Sequence, residues 1–186
     1  VHDTDDDGDL DVFVGIRSLP QQYGSPATSY LLANNGRGIF EDVTTKKAPG
    51  LMNLGMVTAA SWADVNGDKI KELLTTGEWM HTHTFSRQQD KYVAINNGLL
   101  EYKGWWKSME ATDIDNDGDT DLILGNNGAN FYLRPNADEP VKIWIHDFDG
   151  NGITDKVITR TIDGKDMPVF LKRDLTDQIP GLKKQN

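Results

Sequence analysis

Four nine-residue stretches share one spacing: DTDDDGDLD at 3–11, DVNGDKIKE at 64–72, DIDNDGDTD at 113–121 and DFDGNGITD at 147–155. Written as D-x-D-x-D-G-x-x-D, each puts oxygen-bearing side chains at its first, third, fifth and ninth positions. Like charges this close repel, so the fold must satisfy or neutralise them locally. The stretches hold seventeen acids and two lysines, a charge of −15 in a chain of net −10, which leaves the remainder mildly basic at +5. The acidity is therefore a local device and not a diffuse acidic surface.

In a tight loop, alternating side chains turn toward a common centre. Hard oxygen donors without His or Cys favour Ca²⁺ over zinc or copper, and Mg²⁺ suits such a loop less because it holds its waters in a strict octahedron. The candidate ligands are Asp3, Asp5, Asp7 and Asp11; Asp64, Asn66, Asp68 and Glu72; Asp113, Asp115, Asp117 and Asp121; and Asp147, Asp149, Asn151 and Asp155. The position-seven carbonyls of Asp9, Ile70, Asp119 and Ile153 would complete the shells. Up to four Ca²⁺ ions are expected. Gly8, Gly118 and Gly152 at position six supply left-handed backbone. Loop 64–72 is the weakest site: it has Lys69 at that position, Glu72 in place of the last Asp and Gly67 at position four. Helix-pair calcium loops share the opening motif but run to twelve residues. Here the closing acid comes three residues after the Gly, and β-like runs follow: VFVG, LLTTG, LILGN and KVITR.

The loops begin at 3, 64, 113 and 147, so the first two intervals are 61 and 49 residues. That period points to propeller blades. YLLANNGRGIFEDVTT at 30–45 and YVAINNGLLEY at 92–102 both read as strand, Asn-Asn-Gly turn, strand. The expected fold is all-β, a partial β-propeller of three to four blades, with approximate repeats 1–56, 57–106 and 107–172 and a short helical tail at 173–186. HTHTFSRQQDK reads as a longer loop, Asp163-Gly164 as a hairpin turn, and Asp174 as the cap of a short helix reaching Lys184, broken near Pro180.

The loops resemble those of FG-GAP or VCBS repeats, calcium-binding blades also found in integrin alpha subunits. NNGRGIFEDVT, TTGEWM, GWWKSMEATDIDNDGDTDLILGNNGAN and DEPVKIWIHDFDGNGITD most resemble bacterial VCBS proteins carrying an ASPIC/UnbV module. The resemblance spans nearly the whole chain. It implies a β-propeller, usually of about seven blades, within a long surface or exported protein. The start, VHDTDDDG, has no initiator Met or signal-peptide pattern and reads as an internal cut.

Other chemistry has thin support. Without Cys there is no disulfide framework or thiolate metal site. There is no G-x-S-x-G elbow, no basic stripe with interleaved aromatics for nucleic acid, and no apolar run near the ~20 residues of a membrane span. His81 and His83 point the same way if extended but lack a third ligand. Trp79, Trp105 and Trp106 suit either core packing or stacking on a sugar, and Glu78 and Glu110 lie near them as a conceivable acid and base. The expected function is a non-enzymatic, calcium-binding scaffold or recognition surface of an exported bacterial protein. A protein or glycan ligand and the parent's remaining blades are its expected partners. The alternative is a propeller-type polysaccharide lyase or hydrolase, or a carbohydrate-binding domain, using calcium and the Trp residues.

Overall fold

A computed structural model of the chain describes residues 1–128 and 131–184. Its strands are β1 Val12–Val14, β2 Tyr30–Asn34, β3 Phe40–Asp42, β4 Met56–Ala63, β5 Glu72–His81, β6 His83–Gln88, β7 Lys91–Ile95, β8 Lys103–Thr112, β9 Asp121–Asn126, β10 Val141–His146, β11 Asp155–Ile162 and β12 Lys165–Pro168. Two short helices, α1 Thr44–Lys47 and α2 Lys172–Gln178, and three 3₁₀ turns accompany them. The protein is mostly β, in three antiparallel sheets. Among the described residues no helix is long and apolar enough to cross a membrane.

The chain forms two compact units, one of residues 1–18 and 26–127 and the other of 19–25 and 128–186. In the first unit, β1, β2 and β3 make one sheet, and a second sheet has the order β7-β6-β5-β8-β9 with β4 also on β5. Strands β4 to β7 form a consecutive antiparallel meander with the 64–72 loop between its first two strands. The core gathers Leu31, Val43, Ala48, Leu51, Leu73, Phe85 and Tyr92, with Phe13, Ala33, Leu54 and Trp62 packed against them. Strand β5 is buried along nearly all its length because it has neighbours on both sides. At Gly77 it passes so close to β4 that an added Cβ would stand 1.9 Å from the Met56 carbonyl oxygen.

In the second unit β10, β11 and β12 form a sheet closed at one end by Asp163 and Gly164, with φ of 49° and 73°. Two positive φ values in a two-residue loop match the twist of antiparallel strands, as the sequence led one to expect. Gly24 lies against Ile143 and Ile145, where a Cβ would come within 2.4 Å of Ile145 Cδ1.

Three expectations need correction. HTHTFSRQQDK is no long loop, because His83–Gln88 is strand β6, paired with β5 on one side and β7 on the other. Its polar residues are accommodated by partners: Asn97 Nδ2 donates to Thr84 Oγ1 and Ser86 Oγ donates to Glu72. The Asn-Asn-Gly at 96–98 does not close a hairpin as the one at 34–36 does. The side chains of Asn96 and Asn97 accept from the amides of Gly98 and Leu99, a 3₁₀ turn follows at Leu99–Glu101, and β8 then pairs with β5 and β9 instead of β7. Asp174 is not a cap either. Helix α2 begins at Lys172 with Leu171 at its N-cap and no side-chain capping bond, which puts Asp174 in the first turn, where its charge favours the helix dipole. Gln185 and Asn186 of the expected tail lie outside the described residues.

Replacing Phe85, 1% exposed, with Ala should lower unfolding free energy by about 3–5 kcal/mol. Gly77→Ala should lower it by about 1–3 kcal/mol, because backbone rather than a flexible side chain occupies the space. Urea denaturation measures both.

Candidate metal centres

The same hydrogen bonds build all four acidic loops. The position-one carboxylate accepts from the position-four amide through Oδ1 and from the position-six amide through Oδ2. The pairs are Asp3 with Asp6 and Gly8 at 2.8 and 3.0 Å, and Asp64 with Gly67 and Lys69 at 2.7 Å each. Asp113 holds Asn116 and Gly118 at 2.7 and 3.0 Å, and Asp147 holds Gly150 and Gly152 at 2.8 and 2.9 Å. The gripped residues all have positive φ, from 63° at Asp6 and Asn116 to 96° at Gly118. Position six was legible from its glycines. Position four was not, although its Asp, Gly, Asn and Gly are the residue types that tolerate left-handed backbone.

The ninth residue closes each loop by accepting the position-two amide: Asp11 from Thr4 at 2.8 Å, Glu72 from Val65 at 3.2 Å, Asp121 from Ile114 at 3.0 Å and Asp155 from Phe148 at 3.1 Å. Asp11, Glu72 and Asp155 are buried at 1%, 0% and 4% exposure, so the closing acid roots the loop in the sheet it starts.

Three loops bring carboxylates together. Ligand atoms of Asp3, Asp5 and Asp11 lie within 4.8 Å of one another, as do those of Asp113, Asp115 and Asp121 and those of Asp147, Asp149 and Asp155. These are positions one, three and nine. At position five, Asp7, Asp117 and Asn151 each turn one oxygen to the amide two residues on, that of Asp9, Asp119 or Ile153. Loop 3–11 is tied most firmly to its surroundings. Lys47 pairs with Asp5 Oδ2 at 2.7 Å, Arg87 with Asp6 at 2.6 Å, and the Asn34 amide donates to Asp11 Oδ1 at 2.8 Å. Nothing in the spacing of the loop itself pointed to Lys47 or Arg87. Asp5 Oδ1 is buried and has no hydrogen-bond partner among the described residues. Tyr92 reaches the same loop through Thr4 O at 3.5 Å, and burial, the main cause, pushes its phenol up to about 12, which keeps it a donor.

Loop 64–72 shares the backbone geometry, and Lys69 holds a φ of 71° there. Its position three, however, is Asn66 and not a carboxylate. The Asn66 side-chain amide donates to Asp68 Oδ2 at 3.2 Å and to Glu72 Oε1 at 3.0 Å, and Ser86 Oγ also reaches Glu72 Oε1 at 3.2 Å.

The remaining candidates are placed as follows. Trp79 and Trp105 pack on each other at 5.1 Å between ring centroids, with Lys107 Nζ 5.5 Å from the Trp105 ring. Trp106 is half-buried, and a Cβ on Gly104 would strike its indole. Glu78 is buried at 1% exposure, accepting two bonds of 3.0 Å from Arg17 Nη2 and another from Lys107 Nζ. Glu110 stands exposed further along β8. His81 Nδ1 lies against the Leu100 carbonyl, while His83 stacks on Phe85, and burial first and His81 second lower its pKa.

The position-one grip has an electrostatic signature. At Asp147 the Gly152 amide is the largest cause of a lowered pKa. At Asp3 and Asp64 partial desolvation is the largest single effect and acts upward, yet the loop amides together outweigh it. Stabilisation from such depressed groups is complete above the unfolded value of 3.8 and is lost as pH falls through the lower folded value. In chelator, stability should therefore decline below about pH 4. Carboxyl-carbon NMR titration should place all three residues below 3.8.

Residues 3–75 match the family described as an FG-GAP-like repeat, a span that holds the first two acidic loops. Neither the curated proteins nor the solved structures compared with the chain include a match.

Proposed function

We propose that this chain is a run of calcium-stapled β-propeller repeats, a non-enzymatic scaffold or recognition surface within an exported bacterial protein of the VCBS kind with an ASPIC/UnbV module. One observation carries the calcium reading: Asp5 Oδ1, a buried carboxylate oxygen without a hydrogen-bond partner among the described residues, in a residue that clusters with Asp3 and Asp11. An unsatisfied buried acceptor costs roughly 1–3 kcal/mol, and more when charged. Lys47 answers only the other oxygen of Asp5.

The donor set is all oxygen, as Ca²⁺ prefers. Asp3, Asp5 and Asp11 would hold one ion, Asp113, Asp115 and Asp121 a second, and Asp147, Asp149 and Asp155 a third. Asp7, Asp117 and Asn151 and the carbonyls of Asp9, Asp119 and Ile153 are the candidates for the rest of each shell. When bound, the ion supplies the positive charge that lets three carboxylates stay together. The chain's own groups do the mechanical work. The first residue bends the loop through two amides, and the ninth pins it to the first residues of β1, β9 or β11.

Each loop with its flanking strands would be one blade or part of one, as in the β4 to β7 meander. Extracellular modules with such loops bind calcium near 10⁻⁴ to 10⁻³ M, which suits an exported location. The scaffold reading, with a protein or glycan partner and further blades of the parent, is supported by Glu78 being committed to Arg17 and Lys107 and by Trp79 and Trp105 covering one another. Such groups are occupied in holding the fold.

Calcium should raise the melting temperature and EGTA should reverse it. Ligand linkage gives about 2.7 kcal/mol per site at a hundredfold excess over Kd. Asp5→Asn should remove the part of this response that belongs to loop 3–11. A melting temperature indifferent to chelation would overturn the calcium reading.

A further inference from the structure

The four loops are alike in backbone and unlike in the side chain at their third position. We propose that loop 64–72 is locked by its own Asn66 side-chain amide and takes no divalent ion, so that the chain binds one ion fewer than its four acidic motifs suggest. The inference rests on the calcium reading of the other three loops.

Position three is decisive. In those loops it is a carboxylate, Asp5, Asp115 or Asp149, and it joins the first and ninth acids in a cluster. In loop 64–72 it is Asn66, whose NH₂ group donates to two acids of the same loop, Asp68 Oδ2 and Glu72 Oε1. A donor lying between two carboxylates performs the task of a cation there: it offers each a positive partner and holds them at hydrogen-bonding distance. Asn66 Oδ1 is used as well, accepting from the Asp68 amide at 2.9 Å. Asn66 thereby joins the middle of the loop to its closing acid.

Glu72 is answered within the loop and the sheet. It is 0% exposed, and three donors reach it: Asn66 Nδ2, Ser86 Oγ from β6, and the Val65 amide. For an ion to enter between the acids, the bonds from Asn66 Nδ2 must break. Burying a carboxylate is tolerable when hydrogen bonds replace its water, and here they do.

Charge points the same way. Loop 64–72 contains three acids and two lysines, a net of −1, against −6, −5 and −3 in the loops at 3–11, 113–121 and 147–155. The attraction for a divalent cation is correspondingly small. Lys69 occupies the left-handed position where the other loops have Gly, and it stays there because Asp64 holds its amide at 2.7 Å. The loop keeps the turn without the ion.

Native mass spectrometry of the chain dialysed against CaCl₂ counts bound ions, and single substitutions locate them. Asp68→Asn should leave the count of the parent chain unchanged, whereas Asp149→Asn should lower it by one. The double substitution Asn66→Asp with Lys69→Gly should add one ion, with circular dichroism reporting that the variant is folded. Loss of an ion in Asp68→Asn, or no gain in a folded double variant, overturns the proposal. Absence of ions from the parent chain is a different result, one that refutes the calcium reading of all the loops.

Discussion

The structure depends on an aspartate carboxylate holding two backbone amides that the chain would not otherwise bring together. In each loop the position-one oxygens take the fourth and sixth amides, and those residues adopt left-handed backbone as a consequence. Gly, Asp and Asn tolerate that conformation, but for Lys69 it is unfavourable by about a kcal/mol or more. Charge-assisted hydrogen bonds, worth roughly twice neutral ones, are what offset it. The ninth residue then accepts the second amide and enters a strand. Side-chain chemistry thus fixes the turn, the turn sets where the strand starts, and in β5 and β11 the strand's first residue is already buried.

How much of this could be read beforehand differs from element to element. The strands after the loops, the hairpin at Asn35-Gly36 and the turn at Asp163-Gly164 follow from local signals, since each is specified by residues within a few positions. Strand β6 is not local. HTHTFSRQ reads as polar, and it becomes a partly buried strand because Glu72 and Asn97, distant in sequence, answer its hydroxyls. The second Asn-Asn-Gly misleads for the opposite reason: its local turn is real, but β7 already has β6 beside it and the chain moves on to β8. Of the candidate site, the acids and their spacing were legible. The contacts of Lys47 and Arg87 with Asp5 and Asp6 were not, because they come from α1 and β6, tens of residues away.

Strand β5 shows what a central position demands of a sequence. Glu72, Thr75, Thr76 and Glu78 are all buried in it beside Leu73 and Leu74. Thr76 and Thr82 share a 3.0 Å hydroxyl bond, and Glu78 is held by Arg17 and Lys107. Buried ion pairs contribute little net stability, but removing one partner strands a charge in a low dielectric. A polar strand of this kind fits one set of neighbours, which is useful where similar repeats compete to pair with one another.

The clamped loops also bear on survival among proteases. Exposed turns with small or polar residues are ordinarily where folded proteins are nicked, because such a segment can peel away and lie extended in a protease cleft. A loop whose fourth and sixth amides are tied to its own first side chain, and whose ninth residue is anchored in a sheet, cannot straighten without breaking all of those bonds. Its tip is solvent-facing yet poorly digestible, and first cuts are diverted to connections that lack such an internal tether.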